Sequence, residues 1–232
     1  MNTIANYYNE NTISKFKAAL QQAMEDVRTG KVDRVSISSK NEKMGEVASV
    51  STLPLLTCPG RCKGTCGSDC YAAKLANLRP SVLTAYARNT ALAMHRPDIY
   101  WQDVNRAMMA RRFFRFHVSG DIMNRDYFEK MIEAVRNNPH CETLVFTKRY
   151  EIVNAWIKEN GELPKNLHLL FSGWNNLQPV NPNKLPETTV YGKKEAPKDE
   201  WLLCGGNCFE CGCRGTGCWK AGRGETIAFR IH

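Results

Sequence analysis

Two short glycine-rich stretches hold nine of the ten cysteines of this chain. The first stretch, "TCPGRCKGTCGSDCYAAK" at residues 57–74, places a cysteine at every fourth position, at Cys58, Cys62, Cys66 and Cys70. A spacing of four is typical of one side of a helix, but the proline and glycines between the cysteines are the poorest helix formers. The pattern therefore predicts a loop that becomes helical near Cys70, with backbone lying close to whatever the thiols hold.

The second stretch, "CGGNCFECGCRGTGCW", supplies Cys204, Cys208, Cys211, Cys213 and Cys218. Zinc sites usually combine two close cysteine pairs across a longer span, whereas iron–sulfur clusters are wrapped by closely spaced cysteines. Both stretches are dense and lack histidine, which favours iron–sulfur clusters and leaves zinc as the alternative. The remaining cysteine, Cys141, is predicted to be a small buried hydrophobic residue.

Composition excludes several classes of protein. With 232 residues and 43% hydrophobic residues, the chain can build a core without disulfide bonds. The first twenty residues contain no apolar signal segment, and no apolar run reaches transmembrane length. We therefore expect a cytoplasmic protein with no membrane partner. In a reducing compartment, clustered cysteines indicate metal or redox ligands rather than structural disulfides.

The rest of the sequence predicts an α/β scaffold. Strand patterns at "FFRFHVSGD", "ETLVFTKR" and "NLHLLFSGW" recur about every 25 residues, with a helical pattern in each gap, so the strands are expected to be parallel. Two short strands, "DRVSIS" and "EVASVS", precede the first cysteine stretch. The prediction is a single domain over residues 1–232, with a helical N-terminal extension at residues 1–30 and a cysteine-rich, metal-binding C-terminal segment at residues 200–232.

Polar side chains follow the predicted strands at their carboxyl ends, where parallel α/β sheets bind ligands. Alternation along the first strand places Arg115, His117 and Ser119 on one face. Asp121, His117 and Lys148 are the candidate catalytic residues, and the candidate cofactor-binding residues are Ser119 and Ser172. The alternative is structural: His117 as a buried polar residue satisfied by its neighbours, and Lys148 as a solvated residue at the start of a helix.

The net charge of the chain indicates what kind of molecule it could bind. The formal net charge is +9, and two clusters held by eight thiolates would reduce it to about +5. Basic residues are spread along the chain, with local maxima at "MMARRFFRFH" and "FTKRYEIV". Nucleic acid is therefore a predicted partner, beside a small-molecule cofactor, and general basicity is the alternative.

Many short motifs resemble the phage "gene product 88" family in the same order. They include "NEKMGEVASVSTLPLLTC", "CYAAK", "RPSVLTAYARNTAL", "FRFHVSGDIMNRDYFEKM", "NPHCETLVFTKRYEIVN" and "CGGNCFECGC…CW". The resemblance covers most of the chain from about residue 33 and implies host cytoplasm as the location of a phage-encoded chain. The family's recurring cysteines match Cys58, Cys66, Cys70, Cys204, Cys208, Cys211 and Cys218. Cys62 and Cys213 are additional, although Cys213 could replace Cys218.

The family resembles shortened radical S-adenosylmethionine (SAM) proteins. That resemblance implies an incomplete parallel β/α barrel, a [4Fe–4S] cluster held by three cysteines, and SAM on the open iron. The superfamily's C-x3-C-x2-C spacing occurs here at Cys204, Cys208 and Cys211, at the opposite end of the chain, and the first stretch is spaced differently. One hypothesis is a radical-SAM-like enzyme of unknown substrate with one or two clusters. The other is a non-enzymatic, zinc- or iron–sulfur-stapled protein that binds nucleic acid.

Overall fold

The computed structural model describes residues 6–192 and 194–231. Its strands are β1 (Ile37–Ser38), β2 (Ala48–Val50), β3 (Phe113–Phe116), β4 (Glu142–Thr147), β5 (Leu167–Ser172), β6 (Glu187–Tyr191), β7 (Leu202–Leu203) and β8 (Thr226–Arg230). Its α-helices are α1 (Glu10–Arg28), α2 (Tyr71–Leu78), α3 (Pro80–His95), α4 (Pro97–Met109), α5 (Arg125–Asn137), α6 (Tyr150–Asn160) and α7 (Cys208–Arg214). Short 3₁₀ helices lie at Gly60–Cys62 and Gly217–Trp219.

The strands form one sheet in the order β1-β2-β3-β4-β5-β6-β8-β7. Every neighbouring pair is parallel except β1 and β2, which are antiparallel. The predicted α/β class and parallel sheet are therefore confirmed. Within the described residues β1 and β7 are the two edges and do not pair with each other, so the sheet is open there.

Local sequence signals fix several helix ends. Asn124 caps α5 by accepting a hydrogen bond from Tyr127 N, as its position predicts. Gly161 follows the last residue of α6 with a φ of +82°, a conformation that favours glycine at the end of a helix. The first helix begins after Asn9, whose side chain accepts a hydrogen bond from Thr12 N. The cysteine loop becomes helical where the sequence predicts it, with Cys70 as the cap of α2.

The two faces of the sheet bury different layers. Along β3, Phe114 and Phe116 pack into the main core with the helices, while Phe113 points to the opposite face. That opposite face carries a smaller apolar cluster, which includes Trp219 from the C-terminal segment. Partly buried cysteines of the same segment, Cys208 among them, pack against this cluster. Helices thus cover one face, and the cysteine-rich C-terminal segment covers the other.

The first helix belongs to the main core. Phe16 is fully buried, and Ala23 and Val27 lie in the same core cluster. The helix packs against α3. The predicted extension at residues 1–30 is therefore a packed helix over its described part, and residues 1–5 lie outside the described residues.

The loops that leave β2 and β3 approach each other closely at Gly120. Thr52 N donates a hydrogen bond to Ser119 O (2.9 Å), and Ser119 Oγ donates to Thr52 O (3.0 Å). Gly120 has a φ of +83°, and a Cβ added there would overlap Thr52 Oγ1 and lie 2.6 Å from Thr57 Oγ1. Only glycine fits this crossing of two loops.

We expect Gly120→Ala to lower the free energy of unfolding by roughly 3 kcal/mol, since the alanine is strained in the left-handed region and also collides with Thr52. Gly30 is the matched control, because it has a φ of +74° with no atom within 4 Å of an added Cβ. Gly30→Ala should cost about 1 kcal/mol. Denaturant unfolding measures both, and equal losses would contradict the close approach at Gly120.

Candidate functional site

The loop after β2 gathers four thiols at the carboxyl edge of the sheet. We call Cys58, Cys62, Cys66 and Cys70 the first thiol group. Cys62 is only 2% exposed and forms side-chain hydrogen bonds with Cys58 and Cys66, while Cys66 interacts with Cys70. The loop folds back on itself because Cys62 O accepts hydrogen bonds from the N–H groups of Thr65 and Gly67.

Three thiols of this group, those of Cys62, Cys66 and Cys70, have raised pKa values that favour their protonated form. A hydrogen bond with Cys58 raises the pKa of Cys62 to about 12, and burial adds to the effect. The hydrogen bond with Cys62, followed by burial, raises the pKa of Cys66, and burial raises that of Cys70. A metal bound here would displace protons from these thiols.

Lys148 places a buried cation beside the first thiol group. The residue follows β4 directly and is 8% exposed. Its Nζ donates to Ser172 Oγ (2.6 Å) at the end of β5. Its ammonium also interacts electrostatically with the thiols of Cys62, Cys66 and Cys70 and favours a lower pKa for each. The hydrogen bonds and the burial that raise these pKa values have the larger effect. Two of the predicted site residues, Lys148 and Ser172, therefore lie with the thiols.

Asp121 lies next to Lys148, and its carboxylate accepts hydrogen bonds from groups of the protein itself. The carboxylate is 4% exposed. Oδ1 accepts hydrogen bonds from Ile122 N (2.8 Å) and Thr147 Oγ1 (2.6 Å), and Oδ2 accepts one from Lys148 N (2.9 Å). Burial raises the pKa of Asp121, and these donors oppose the rise. In this arrangement Asp121 positions Lys148 by fixing the start of the loop that follows β4.

His117 faces the helices rather than the thiols. Its Nε2 lies 2.8 Å from Tyr127 Oη, which in turn lies 2.6 Å from Tyr100 Oη. Burial, followed by the charge of Arg115, lowers the pKa of His117 to about 3, so the imidazole is neutral. The expectation that His117 shares a face with Arg115 is wrong, because β3 ends at Phe116 and strand alternation ends with it.

Ser119 also serves the protein itself, since its hydroxyl donates to Thr52 O and is buried. Of the five predicted catalytic and cofactor-binding residues, the structure groups Asp121, Lys148 and Ser172. It does not bring His117 or Ser119 into that hydrogen-bonded group.

The C-terminal segment gathers a second set of thiols, on the sheet face opposite the helices. We call Cys204, Cys208, Cys211 and Cys218 the second thiol group. The Cys218 thiol interacts electrostatically with the other three, and burial raises its pKa to about 12. Cys213 is exposed and lies two positions beyond Cys211 on α7, so it points to another side of that helix. The structure thus groups Cys218, rather than Cys213, with the other three.

Sequence reasoning missed the partners of this second group. Trp219 Nε1 donates to Cys208 O (2.8 Å). Arg115 Nη1 lies 4.0 Å from Cys208 Sγ, and the guanidinium covers the ring of Phe146 at 4.7 Å. Alternation did assign Arg115 to the polar side of β3. No local signal, however, indicates a contact between residues 93 positions apart.

Tyr71 lies near a thiol of each group. The side chain is 59% exposed, and its hydroxyl donates to Val118 O (2.6 Å). That hydroxyl interacts electrostatically with both Cys70 and Cys208. One thiol of each group therefore lies in the neighbourhood of the same phenol.

Within the described residues, no three His, Cys, Asp or Glu side chains are arranged around one point as ligands of a single metal ion. The donors are all thiols, the type of ligand that iron–sulfur clusters and zinc use. Glycines leave room around the sulfur atoms: a Cβ on Gly205 would lie 3.1 Å from Cys211 Sγ, and one on Gly217 3.7 Å from it. Because the donors are thiols and small glycines lie beside them, the residues fit a thiolate-bound metal cluster.

The family model described as gene product 88 matches residues 9–200 of the chain. The matched span contains the first thiol group, Asp121, Lys148 and Arg115, and it ends before Cys204. No curated protein and no solved structure matches the chain. None of the helices in the described ranges has the length and hydrophobicity to cross a membrane.

We expect Asp121→Asn to lower the free energy of unfolding by about 2 kcal/mol, because the new amide cannot accept all three hydrogen bonds and leaves a buried donor unpaired. Asp33, which is exposed, is the matched control. Asp33→Asn should change stability by less than about 0.5 kcal/mol. Urea unfolding compares the two variants, and similar small changes would show that Asp121 does not hold this edge together.

His117 should make the protein sensitive to acid. The pKa of His117 is lowered from 6.5 to about 3 in the folded protein. Between these two pH values the unfolded chain binds more protons than the folded protein, so stability falls as the pH falls. The loss can reach about 1.4 kcal/mol per pH unit. We expect His117→Gln, which keeps a neutral partner for Tyr127, to flatten the dependence between pH 6.5 and about 5.

The control for this comparison is His95→Gln, since His95 is exposed. Unfolding curves recorded at several pH values should show the same slope for this control as for the unmutated protein. A slope unchanged by His117→Gln would mean that the buried imidazole does not cause the acid sensitivity.

Proposed function

The chain belongs to the gene product 88 family, and we propose that it is an iron–sulfur protein with a cluster at each thiol group. The family description names no cofactor, so the proposal rests on the residues. The first cluster would be held by Cys58, Cys66 and Cys70. The second would be held by Cys204, Cys208, Cys211 and Cys218.

The observation that carries the proposal is the arrangement of the first thiol group. It brings four cysteines of one glycine-rich loop together without a histidine, and each thiol interacts with the next one along the loop. Closely spaced cysteines are typical of iron–sulfur clusters, whereas zinc sites usually combine two close pairs across a longer span. The composition and spacing of this group therefore support a cluster over a zinc ion.

The groups around the first cluster support an enzymatic role. When bound, an iron–sulfur cluster supplies one-electron chemistry. Lys148 would pair with an anionic group of a small molecule, and Ser172 would share that contact through its hydrogen bond with Lys148. Asp121 would act through Lys148 as a positioning residue. A cluster with one iron open to SAM, in an enzyme of radical-SAM type, is the form of the proposal that these groups favour.

The partial β/α barrel belongs to the same proposal. From β1 to β6 the strands lie in chain order, and a helix follows each of β3 and β4. Those helices pack into the main core on one face of the sheet. Both features are typical of a barrel that has not closed.

Binding of nucleic acid stays a prediction. Several surface arginines pair with carboxylates of the same chain, for example Arg28 with Glu25, Arg61 with Glu151 and Arg125 with Glu129. These pairs reduce the positive charge available to a phosphate backbone. These ion pairs therefore do not add support to this role.

Purification without oxygen should give a brown protein that contains iron and acid-labile sulfide. We expect Cys70→Ser and Cys208→Ser each to remove about half of the iron, because each would disrupt one of two clusters. Cys141, buried in the core, and Cys213, exposed on α7, are the matched controls, and their serine variants should keep the iron. A colourless protein that contains zinc, or no metal at all, would overturn the proposal.

Cys62 distinguishes an open cluster from a closed one. If Cys58, Cys66 and Cys70 are the only protein ligands, Cys62→Ser should leave the iron content unchanged, and the loaded protein should bind SAM in a calorimetric titration. Loss of as much iron as in Cys70→Ser would show a fourth thiolate ligand. That result would refute the open iron and leave a redox or structural cluster.

A further inference from the structure

Arg115 is a partly buried cation without a carboxylate partner. Its guanidinium lies on the sheet face covered by the C-terminal segment, and no ion pair between described residues includes it. Its Nε is buried and has no hydrogen-bond partner. Nη1 contacts only sulfur atoms in the described structure, Met44 Sδ at 3.5 Å and Cys208 Sγ at 4.0 Å. The charged guanidinium therefore faces sulfur atoms, which are weak hydrogen-bond acceptors.

Such a position is costly unless an anion accompanies it. A guanidinium remains charged under all ordinary conditions. A buried donor of a charged group that lacks a partner destabilises the fold, and the Nε of Arg115 is such a donor. Stacking on Phe146 compensates in part, since a cation is attracted to the face of an aromatic ring. A protonated thiol adds almost nothing.

The second thiol group can supply the missing anion. Arg115 Nη1 lies 4.0 Å from Cys208 Sγ, and Cys208 packs with Cys211 and Cys218 against the apolar cluster of the same sheet face. Four thiolates around a [4Fe–4S] core leave the centre with a charge of about −2, and four around a zinc ion give the same total. An anionic centre at this position would therefore neutralise the guanidinium.

We propose that Arg115 is the counter-charge of an anionic iron–sulfur cluster in the second thiol group, and that it favours the reduced form of that cluster. The inference rests on the proposed function, because it requires metal at this group. Reduction adds one electron and makes the centre more negative, so the positive charge of Arg115 stabilises the reduced state more than the oxidised one. In this role Arg115 does not bind the metal and acts on the cluster through its charge.

Three substitutions in the full-length protein test the role of charge. Arg115→Met keeps much of the aliphatic stem and removes the charge, whereas Arg115→Lys keeps the charge. The matched control is Arg112→Met, because Arg112 is exposed and also stacks on an aromatic ring, that of Phe113, at 5.0 Å. Arg115→Gln, neutral but still a hydrogen-bond donor, replaces the methionine variant if that variant does not fold.

The first measurement is the rate at which anaerobically purified protein releases metal to a chelator. The centre of the second group is identified as the one that is absent from Cys208→Ser. We expect Arg115→Met to release that metal at least about tenfold faster, as loss of a hydrogen bond to a charged group predicts. Arg115→Lys should stay within about threefold of the unmutated protein, and Arg112→Met should not differ from it.

The second measurement is the midpoint potential of the same centre, which a purely structural role of Arg115 would not change. It should become more negative in Arg115→Met and Arg115→Gln, and should change little in Arg115→Lys.

Absence of metal from the unmutated protein, or zinc in place of iron, would overturn the proposed function itself. If metal is bound but Arg115→Met behaves like Arg112→Met, the inference fails while the proposed function stands. Release from Arg115→Lys as fast as from Arg115→Met would show that the shape of the side chain matters and its charge does not, which also overturns the inference.

Discussion

The carboxylate of Asp121 joins the loops on which the first thiol group depends. It accepts hydrogen bonds from Thr147 and from the backbone of Lys148, and thereby connects the ends of β3 and β4. Arg149 extends the connection, because its guanidinium donates to Ile122 O and to Thr57 O in the loop after β2. Three separate loops are thus held in one arrangement, and the Lys148 ammonium is directed at the thiols as a result.

The two thiol groups lie in different surroundings, although both are made of glycine-rich sequence. The first has polar neighbours at the carboxyl edge, Lys148 and Ser172, which suit a polar ligand. The second packs against aromatic rings, where Phe113 lies 5.8 Å from Phe209 and 5.0 Å from Trp219. Apolar surroundings limit access of water and strengthen the effect of a single nearby charge. The surroundings of the two thiol groups therefore differ in polarity.

The sequence predicts the scaffold well because local signals and hydrophobic periodicity determine it, as the cap at Asn124 and the stop at Gly161 illustrate. It also predicts that Lys148 and Ser172 meet, because parallel strands share a carboxyl edge. It fails at His117, because alternation assumes a strand that continues to Ser119 whereas β3 ends at Phe116. The contact of Arg115 with Cys208 was not predictable, because it depends on how a distant segment folds over the sheet.

The order of the strands determines the order in which the sheet can grow during synthesis. Strands β1 to β6 occupy neighbouring positions in the sheet in the sequence in which the ribosome releases them. Trp219, which covers apolar side chains such as Phe113 and Leu170, emerges after almost all of the sheet is present. Until Trp219 has been synthesised, the apolar side chains of this face have no cover from the C-terminal segment. The thiol-bearing segment therefore also shields from water the face of the sheet that the helices leave open.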